Sequence, residues 1–334
     1  MGAVTGTLPR MTVLVTGGAG YIGSHTVRLL RSLGREVIVL DTLERSSADA
    51  LLGAPLVVGS IADVNLVTRV CHEHDVTSVV HFAAHKSVGE SMTDPGSYWE
   101  NNVQGTVHLV EGMLAAGVTE LVFSSSAAVY GSPIQVPITE SAVLRPENVY
   151  AESKAMMEKV IEWYGITHGL RAVSLRYFNA AGASNDGVIG EDWRITTNLV
   201  PLVMKAVLGA SGPVKVFGDD YPTPDGTGVR DYIHVEDLAS AHVAALEYLS
   251  TGGTPIAVNL GTGVGTSVRE ILTLTADVAG RPVPHEIVAR RAGDPAVVFA
   301  DATLAATTFG WRARYRIDDI IASAYAWHAA SMNA

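Results

Sequence analysis

The chain has 334 residues, enough for two domains or for one large α/β domain with an appended lobe. Apolar residues make up 48% and charged residues 17%, so a sizeable core can form, and the formal net charge of −11 argues against nucleic acid or an anionic membrane as a partner, since both want basic patches. Cys71 is the only cysteine, which excludes an intrachain disulfide and fits a reducing compartment; with no long apolar run and no leader-like start, a soluble cytoplasmic protein is the expectation.

The opening M-G-A-V-T-G-T-L-P-R lacks periodicity, so residues 1–10 read as a disordered extension, and Met11 can serve as the natural start. Short apolar runs rich in Val, Ile, Leu and Phe follow at Thr12–Thr16, Glu36–Asp41, Leu56–Ser60, Ser78–Phe82, Glu120–Ser125 and Arg171–Tyr177, and read as strands. Between most of them lies helical periodicity, as at Ile22–Leu33, Asn101–Ala116 and Tyr150–Tyr164. Strands alternating with helices imply a parallel sheet covered on both faces, and right-handed crossovers make it a doubly wound, Rossmann-like domain, here over residues 11–180.

Residues 181–334 are expected to form a smaller C-terminal substrate-binding lobe. Its first part, Ser184 to Gly228, is richer in Gly, Pro, Asp and Asn, with one apolar helix near Asn198–Leu208. Val229–Val235 and Ile256–Leu260 read as strands again, so that about 229–262 returns to the main sheet or flanks it.

Val13-Leu14-Val15 runs into Gly17, Gly18, Gly20 and Gly23, and a helical segment follows from Ser24. Glycines here allow a sharp turn, close approach of backbone to a pyrophosphate, and tight packing of helix on strand. The phosphates then meet free N–H groups at the helix start. A bare glycine pattern is weak; its place between strand and helix makes it a dinucleotide loop. Asp41 ends the second strand, where a carboxylate would bond the adenosine ribose hydroxyls and repel a 2′-phosphate. NAD is therefore expected over NADP, with nearby Arg45 as the one feature that would favour the phosphate.

Among eleven tyrosines only Tyr150 has a lysine four residues on, Lys154, in V-Y-A-E-S-K. On a helix those positions share a face, so the ammonium can sit beside the phenol. A close cation favours the phenolate and pulls a pKa of about 10 toward neutrality, making the tyrosine a general base for an alcohol or sugar hydroxyl. Phe123-Ser124-Ser125-Ser126 closes the fifth strand, at the end where open α/β sheets place ligands. Alone, Ser126 reads as a strand-end cap, Lys154 as a surface lysine and Tyr150 as a partly buried anchor. Together on a nucleotide-binding scaffold they read as hydride-transfer chemistry on an alcohol. No metal is expected.

The loop T-G-G-A-G-Y-I-G, the strand end S-S-S-A-A-V-Y-G and Y-A-E-S-K resemble the extended short-chain dehydrogenase/reductase family. Within it, H-F-A-A-H-K-S-V-G-E-S from His81, N-N-V-Q-G-T from Asn101, L-R-Y-F-N from Leu175 and D-Y-P-T-P-D-G-T-G-V-R-D-Y-I-H-V from Asp220 resemble the UDP-glucose (UDP-galactose) 4-epimerases, from Met11 to about residue 328. The resemblance implies that Tyr150 takes the proton of the sugar 4-hydroxyl as the C4 hydride passes to bound NAD. The 4-ketose turns over and takes the hydride back on its other face. Lys154 would tune Tyr150 and bond the nicotinamide ribose, and Ser126 would orient the 4-oxygen.

The positions that match the family's NAD contacts are Gly17, Gly20, Tyr21, Ile22, Gly23, Asp41, Phe82, Ala83, Ala84, Lys86, Asn101, Ser124, Tyr150, Lys154 and Tyr177, with Ser60 and Ile61 at the adenine end. Those that match the nucleotide-sugar contacts are Lys86, Ser126, Tyr150, Asn179, Asn198, Leu199, Phe217, Arg230, Arg291, Asp294 and Val298. Chemistry supports the arginines independently, because a guanidinium forks onto a diphosphate, though Arg290 beside Arg291 is an equal candidate. Asp294 would bond ribose hydroxyls. A homodimer is implied through the helices carrying Asn101–Ala116 and Tyr150–Tyr164.

Two departures stand out. Gly59-Ser60-Ile61 replaces a frequent Gly-Asp-Ile, which weakens the adenine contact, and Val298 stands where some relatives carry tyrosine. Valine opens space beside the sugar, so N-acetylated UDP-sugars are expected as further substrates, unless Val298 is merely core and Phe299 fills the space. A 4,6-dehydratase needs an acid pair after the catalytic serine, and Ala127-Ala128 stand there instead. A uronate-sugar 4-epimerase and a non-catalytic NAD-sensing regulator are the alternatives that stay open.

Overall fold

A computed structural model describes residues 11–194, 196–291 and 293–332; the extension expected at 1–10 lies outside them. The first half alternates strands and helices: β1 (Thr12–Thr16), α1 (Tyr21–Ser32), β2 (Glu36–Asp41), β3 (Leu56–Val58), α2 (Val64–Glu73), β4 (Val76–His81), α3 (Val88–Thr93), α4 (Pro95–Tyr98), α5 (Gly105–Ala115), β5 (Glu120–Ser124), α6 (Val149–His168) and β6 (Arg171–Tyr177). There follow β7 (Asn179–Ala181), α7 (Leu199–Leu208), β8 (Val214–Phe217), β9 (Val229–His234), α8 (Val235–Ser250) and β10 (Ile256–Leu260). The last elements are β11 (Gly265–Ser267), α9 (Val268–Ala279), β12 (His285–Val288), β13 (Val297–Val298), α10 (Thr303–Phe309) and α11 (Ile317–Ser331).

Seven strands form one parallel sheet in the order β10-β6-β5-β4-β1-β2-β3. Period-two alternation assigns each side chain to a face. Val13, Val15, Val37, Val39, Val80 and Val122 join the core under α1 and α8, while Leu14, Ile38, Leu40, Val79, Leu121 and Phe123 join the core under α2, α5 and α6. Burial on both faces is why these runs are continuously apolar. The chain leaves β1 for β2 and β3 and returns to β4 on the other side of β1, so the order reverses between β1 and β4. A crevice opens there beyond the carboxyl ends of the strands.

Several bounds are corrected in detail, among them strand five, which ends at Ser124, and the strand from Val229, which ends at His234. Strand three ends at Val58, and strand four starts at Val76 and stops at His81, leaving Phe82 in the loop that follows. The helix read from Asn101 begins earlier: Asp94 caps α4, Pro95 supplies its first turn, and a π-helical stretch, Trp99–Gln104, joins α4 to α5. Of the two later strands, β10 rejoins the main sheet beside β6, whereas β9 lies in a separate sheet between β11 and β13, with β7 also paired to it. Strand β8 pairs with β12 in a third, two-stranded sheet, and α7, α9 and α11 pack a core of their own with Val203, Met204, Ile271 and Ile320.

Candidate active site

Gly17 follows β1 with φ +69°, and a Cβ there would lie 2.5 Å from the Ala83 nitrogen. A Cβ on Gly23 would lie 2.4 Å from the Gly17 oxygen. Both positions therefore exclude a side chain on steric grounds, and the loop can lie flat against the β4 end. Thr16 O accepts from the N–H groups of Phe82 (2.9 Å) and Ala83 (3.2 Å), which locks the two strand ends together. Helix α1 starts at Gly20 with no side-chain cap and no acid in its first turn, leaving donors and positive dipole for an anion. Ile22 packs into the core behind the loop, and Tyr21 donates its hydroxyl to Gly182 O at 2.6 Å.

Asp41 is only 9% exposed, so it is not a solvated loop acid. Its Oδ2 accepts from Ala19 N–H (3.0 Å), and its Oδ1 accepts from Leu43 N–H and Ser46 Oγ (both 2.9 Å). Arg45 is drawn away into a fork on Glu90, with both contacts at 2.7 Å. Ser60 Oγ accepts from Ala62 N–H at 3.1 Å, and the Ile61 side chain is buried against Gly105. The Ser60 hydroxyl keeps its proton and a second lone pair for a base. The glycine cradle, the uncapped helix start and the buried acid at the β2 end fit a dinucleotide without a 2′-phosphate.

At the β5 end, Tyr150 and Lys154 are buried on the first turns of α6, whose start is capped by Asn148. Ser126 Oγ accepts from Ala128 N–H at 3.2 Å and lies close enough to the Tyr150 phenol to lower its pKa, while burial, the larger effect, raises it. Lys154 Nζ donates to the Ser124 carbonyl at 2.8 Å and lies 5.0 Å above the Phe123 ring. The shared helix face places the stem, and the long side chain reaches on to the strand end, where the ammonium has a carbonyl partner. Burial pushes the Lys154 pKa down to about 7, with Glu158 opposing. Ser124 Oγ and the Tyr177 hydroxyl share a hydrogen bond of 2.9 Å, and the Phe82 ring packs on His242. Ala84 follows in the same loop, and Asn101 donates to Asn102 Oδ1 at 3.0 Å.

Residue types alone missed the group beneath this site. Ser125 Oγ donates to Glu158 Oε1 at 2.5 Å, and Arg176 grips the same carboxylate through Nε (2.9 Å) and Nη2 (2.5 Å). Arg176 also donates to the Tyr130 hydroxyl at 2.9 Å, which donates to Asn259 Oδ1 at 2.8 Å. The helix bearing Tyr150 is thus pinned to β5, β6 and β10. The available signal was that Glu158 stands four residues past Lys154, on its face of the helix.

The nucleotide-sugar candidates gather on the facing side. Asn179 starts β7, and Asn198 and Leu199 open α7. Arg230 on β9 binds Asp294 at 2.5 Å. The Arg291 guanidinium lies 3.7 Å from the Phe217 ring centroid. Arg290 is held instead by Asp220 at 2.5 Å and covers Tyr221, which separates the two adjacent arginines. Val298 pairs with Arg230 and packs against the cluster of Ala127, Phe178 and Ala300. Phe299 turns toward Gly265, so it does not fill the space beside Val298.

A model of the NAD dependent epimerase/dehydratase family matches residues 13–261. A UDP-glucose 4-epimerase of Halalkalibacterium halodurans is 47% identical over 319 residues, covering 95% of this chain and 96% of that protein. The crystal structure of UDP-glucose 4-epimerase from Brucella ovis in complex with NAD is 45% identical with a TM-score of 0.93, covering 94% of this chain and 97% of the other. That of the Bifidobacterium longum enzyme in complex with NAD+ and UDP is 41% identical with a TM-score of 0.91, covering 97% and 99%. The chain belongs to the NAD dependent epimerase/dehydratase family, among the UDP-glucose 4-epimerases.

Proposed function

We propose that this protein interconverts UDP-glucose and UDP-galactose at C4, with NAD held in the crevice between β1 and β4. The observation that carries the reading is the burial of Ser126, Tyr150 and Lys154 together at the strand ends that also hold the glycine loop. Residues 11–180 would hold the dinucleotide through Gly17, Gly20, Gly23 and Asp41, and the later segments would hold the UDP-sugar through Asn179, Asn198, Arg230, Arg291 and Asp294. When bound, the dinucleotide supplies a hydride acceptor that is regenerated in every turnover, so it stays with the protein.

Tyr150 removes the proton of the 4-hydroxyl, and Ser126 donates to the 4-oxygen and fixes its distance from the phenol. Burial raises the pKa of Tyr150, so the phenolate needs a cation, and Lys154 is the buried cation at hand. After the 4-ketose turns over, Tyr150 returns its proton at the opposite face. Arg230 and Arg291 hold the diphosphate during that rotation, which keeps the free sugar end in the pocket. Incubation with UDP-galactose and no added reductant, followed by a UDP-glucose assay, tests the reading. A protein that turns over no UDP-sugar refutes it.

Val298 supports a second substrate class, the N-acetylated UDP-sugars, because valine is smaller than the tyrosine some relatives carry and Phe299 is turned toward Gly265. The outer faces of the π-helical stretch, α5 and α6 support a homodimer: Trp99, Val107 and Met156 line an apolar groove there, with Trp163 54% and Ile166 66% exposed beside it. A cytoplasmic location fits the single, buried cysteine. Among the described residues no helix is long and apolar enough to cross a membrane.

A further inference from the structure

Glu191 has no part in the reaction described above, yet it is 4% exposed and lies between the two ligand halves of the crevice. Its Oε1 accepts from Lys86 Nζ (3.4 Å), Thr196 Oγ1 (2.8 Å) and Asn198 Nδ2 (2.9 Å). Its Oε2 is buried with no hydrogen-bond partner among the described residues. Trp327 Nε1 donates to the Glu191 carbonyl at 3.1 Å and fixes the backbone from α11. Asn198 is the N-cap residue of α7, but its side chain makes no capping bond. An asparagine at that position normally accepts from a backbone N–H of the first turn. Here its amide is turned to the carboxylate instead.

Burial of a carboxylate and loss of a cap both cost stability, so the arrangement is held for what it joins. Lys86 follows β4 on the dinucleotide side, and Asn198 opens α7 on the sugar-nucleotide side. The Tyr21 phenol of the glycine loop is raised in pKa by burial and, second, by the charge of Glu191, which places that charge near the loop as well. An ionised carboxylate only accepts hydrogen bonds, so it decides which end of the Asn198 amide faces it and leaves the carbonyl end for a ligand.

We infer that Glu191 is a positioning residue that ties Lys86 to Asn198, so that binding of the dinucleotide and binding of the nucleotide sugar reinforce each other. The inference rests on the epimerase reading for the identity of the two ligands. Coupling between sites is reciprocal, so UDP should slow release of NAD by the same factor by which NAD tightens UDP. Glu191→Gln keeps the volume and an acceptor for Asn198 but removes the charge that holds Lys86.

The test measures NAD release from the purified holoenzyme with and without UDP, and KM and kcat for UDP-galactose. It compares wild type, Glu191→Gln, Lys86→Met and the double variant. Glu191→Gln should cut the protection by UDP roughly 3- to 10-fold, the factor for one partly exposed charge-assisted hydrogen bond, and raise KM more than it lowers kcat. The double variant should match Lys86→Met, because the pair is already broken. Undiminished protection in Glu191→Gln, or additive losses in the double variant, would overturn the inference. Glu191→Asp, which keeps the charge, should restore part of the protection, whereas a purely structural role would leave it as poor as the glutamine form. Wild-type protein that epimerises no UDP-sugar would defeat the epimerase reading, while NAD release under UDP would still decide the coupling.

Discussion

The Ser126 hydroxyl lies beside the Tyr150 phenol and lowers its pKa, in a site where burial is the larger influence and raises it. That pairing makes Tyr150 the group whose loss should cost the most. Tyr150→Phe keeps the ring and removes the proton acceptor, so kcat should fall roughly 10²–10⁴-fold with NAD still bound. Steady-state rates and the absorbance of retained NAD check this; a mutant with near-full rate would show that another group is the base.

Asp41 holds Ala19, Leu43 and Ser46 at the end of β2, where the proposed dinucleotide would place its ribose. Asp41→Ala should therefore weaken NAD binding overall and also raise NADP relative to NAD, since the like charge near a 2′-phosphate is gone. Competition binding of the two dinucleotides measures both effects. An unchanged preference for NAD would mean that the carboxylate only orders the loop.

Lys154 carries a stability cost. Its pKa is lowered from the usual 10.5 to about 7, so folding releases a proton between those values and stability rises with pH across that window. Below about pH 7 the penalty for the buried ammonium is fully present. Lys154→Met should abolish turnover yet stabilise the NAD-free protein at pH 6 by about 1 kcal/mol or more, with a flatter dependence between pH 7 and 10. Thermal unfolding across pH decides it, and a less stable variant at pH 6 would contradict the assignment.

Val298 packs against the cluster that holds Ala127, the residue after Ser126, while Phe299 turns toward Gly265. Wild type should epimerise UDP-N-acetylglucosamine as well as UDP-glucose. Val298→Tyr should reduce kcat/KM for the N-acetylated pair by roughly 5- to 150-fold, since overpacking a tight site costs about 1–3 kcal/mol. Rates on both substrate pairs are the measurement. No wild-type turnover of the N-acetylated sugars, or a tyrosine variant that handles them equally well, would count against the open pocket.

The strand-helix alternation, the glycine turn and the Tyr150–Lys154 spacing were legible because each rests on local periodicity or sterics. Strands β1, β2, β6 and β10 have the bounds that their apolar runs suggest. The bottom of the site was not legible, because it is made by residues far apart in the chain. Tyr130 meets Asn259, Lys86 meets Glu191, and Glu158 is claimed by Ser125 and Arg176. Tertiary placement also assigned Arg290 to Asp220, sent β9 to its own sheet, and turned the Lys154 ammonium to Ser124. A hydrogen-bond partner depends on which backbones the topology brings within about 3 Å, and no pattern in neighbouring residues carries that distance.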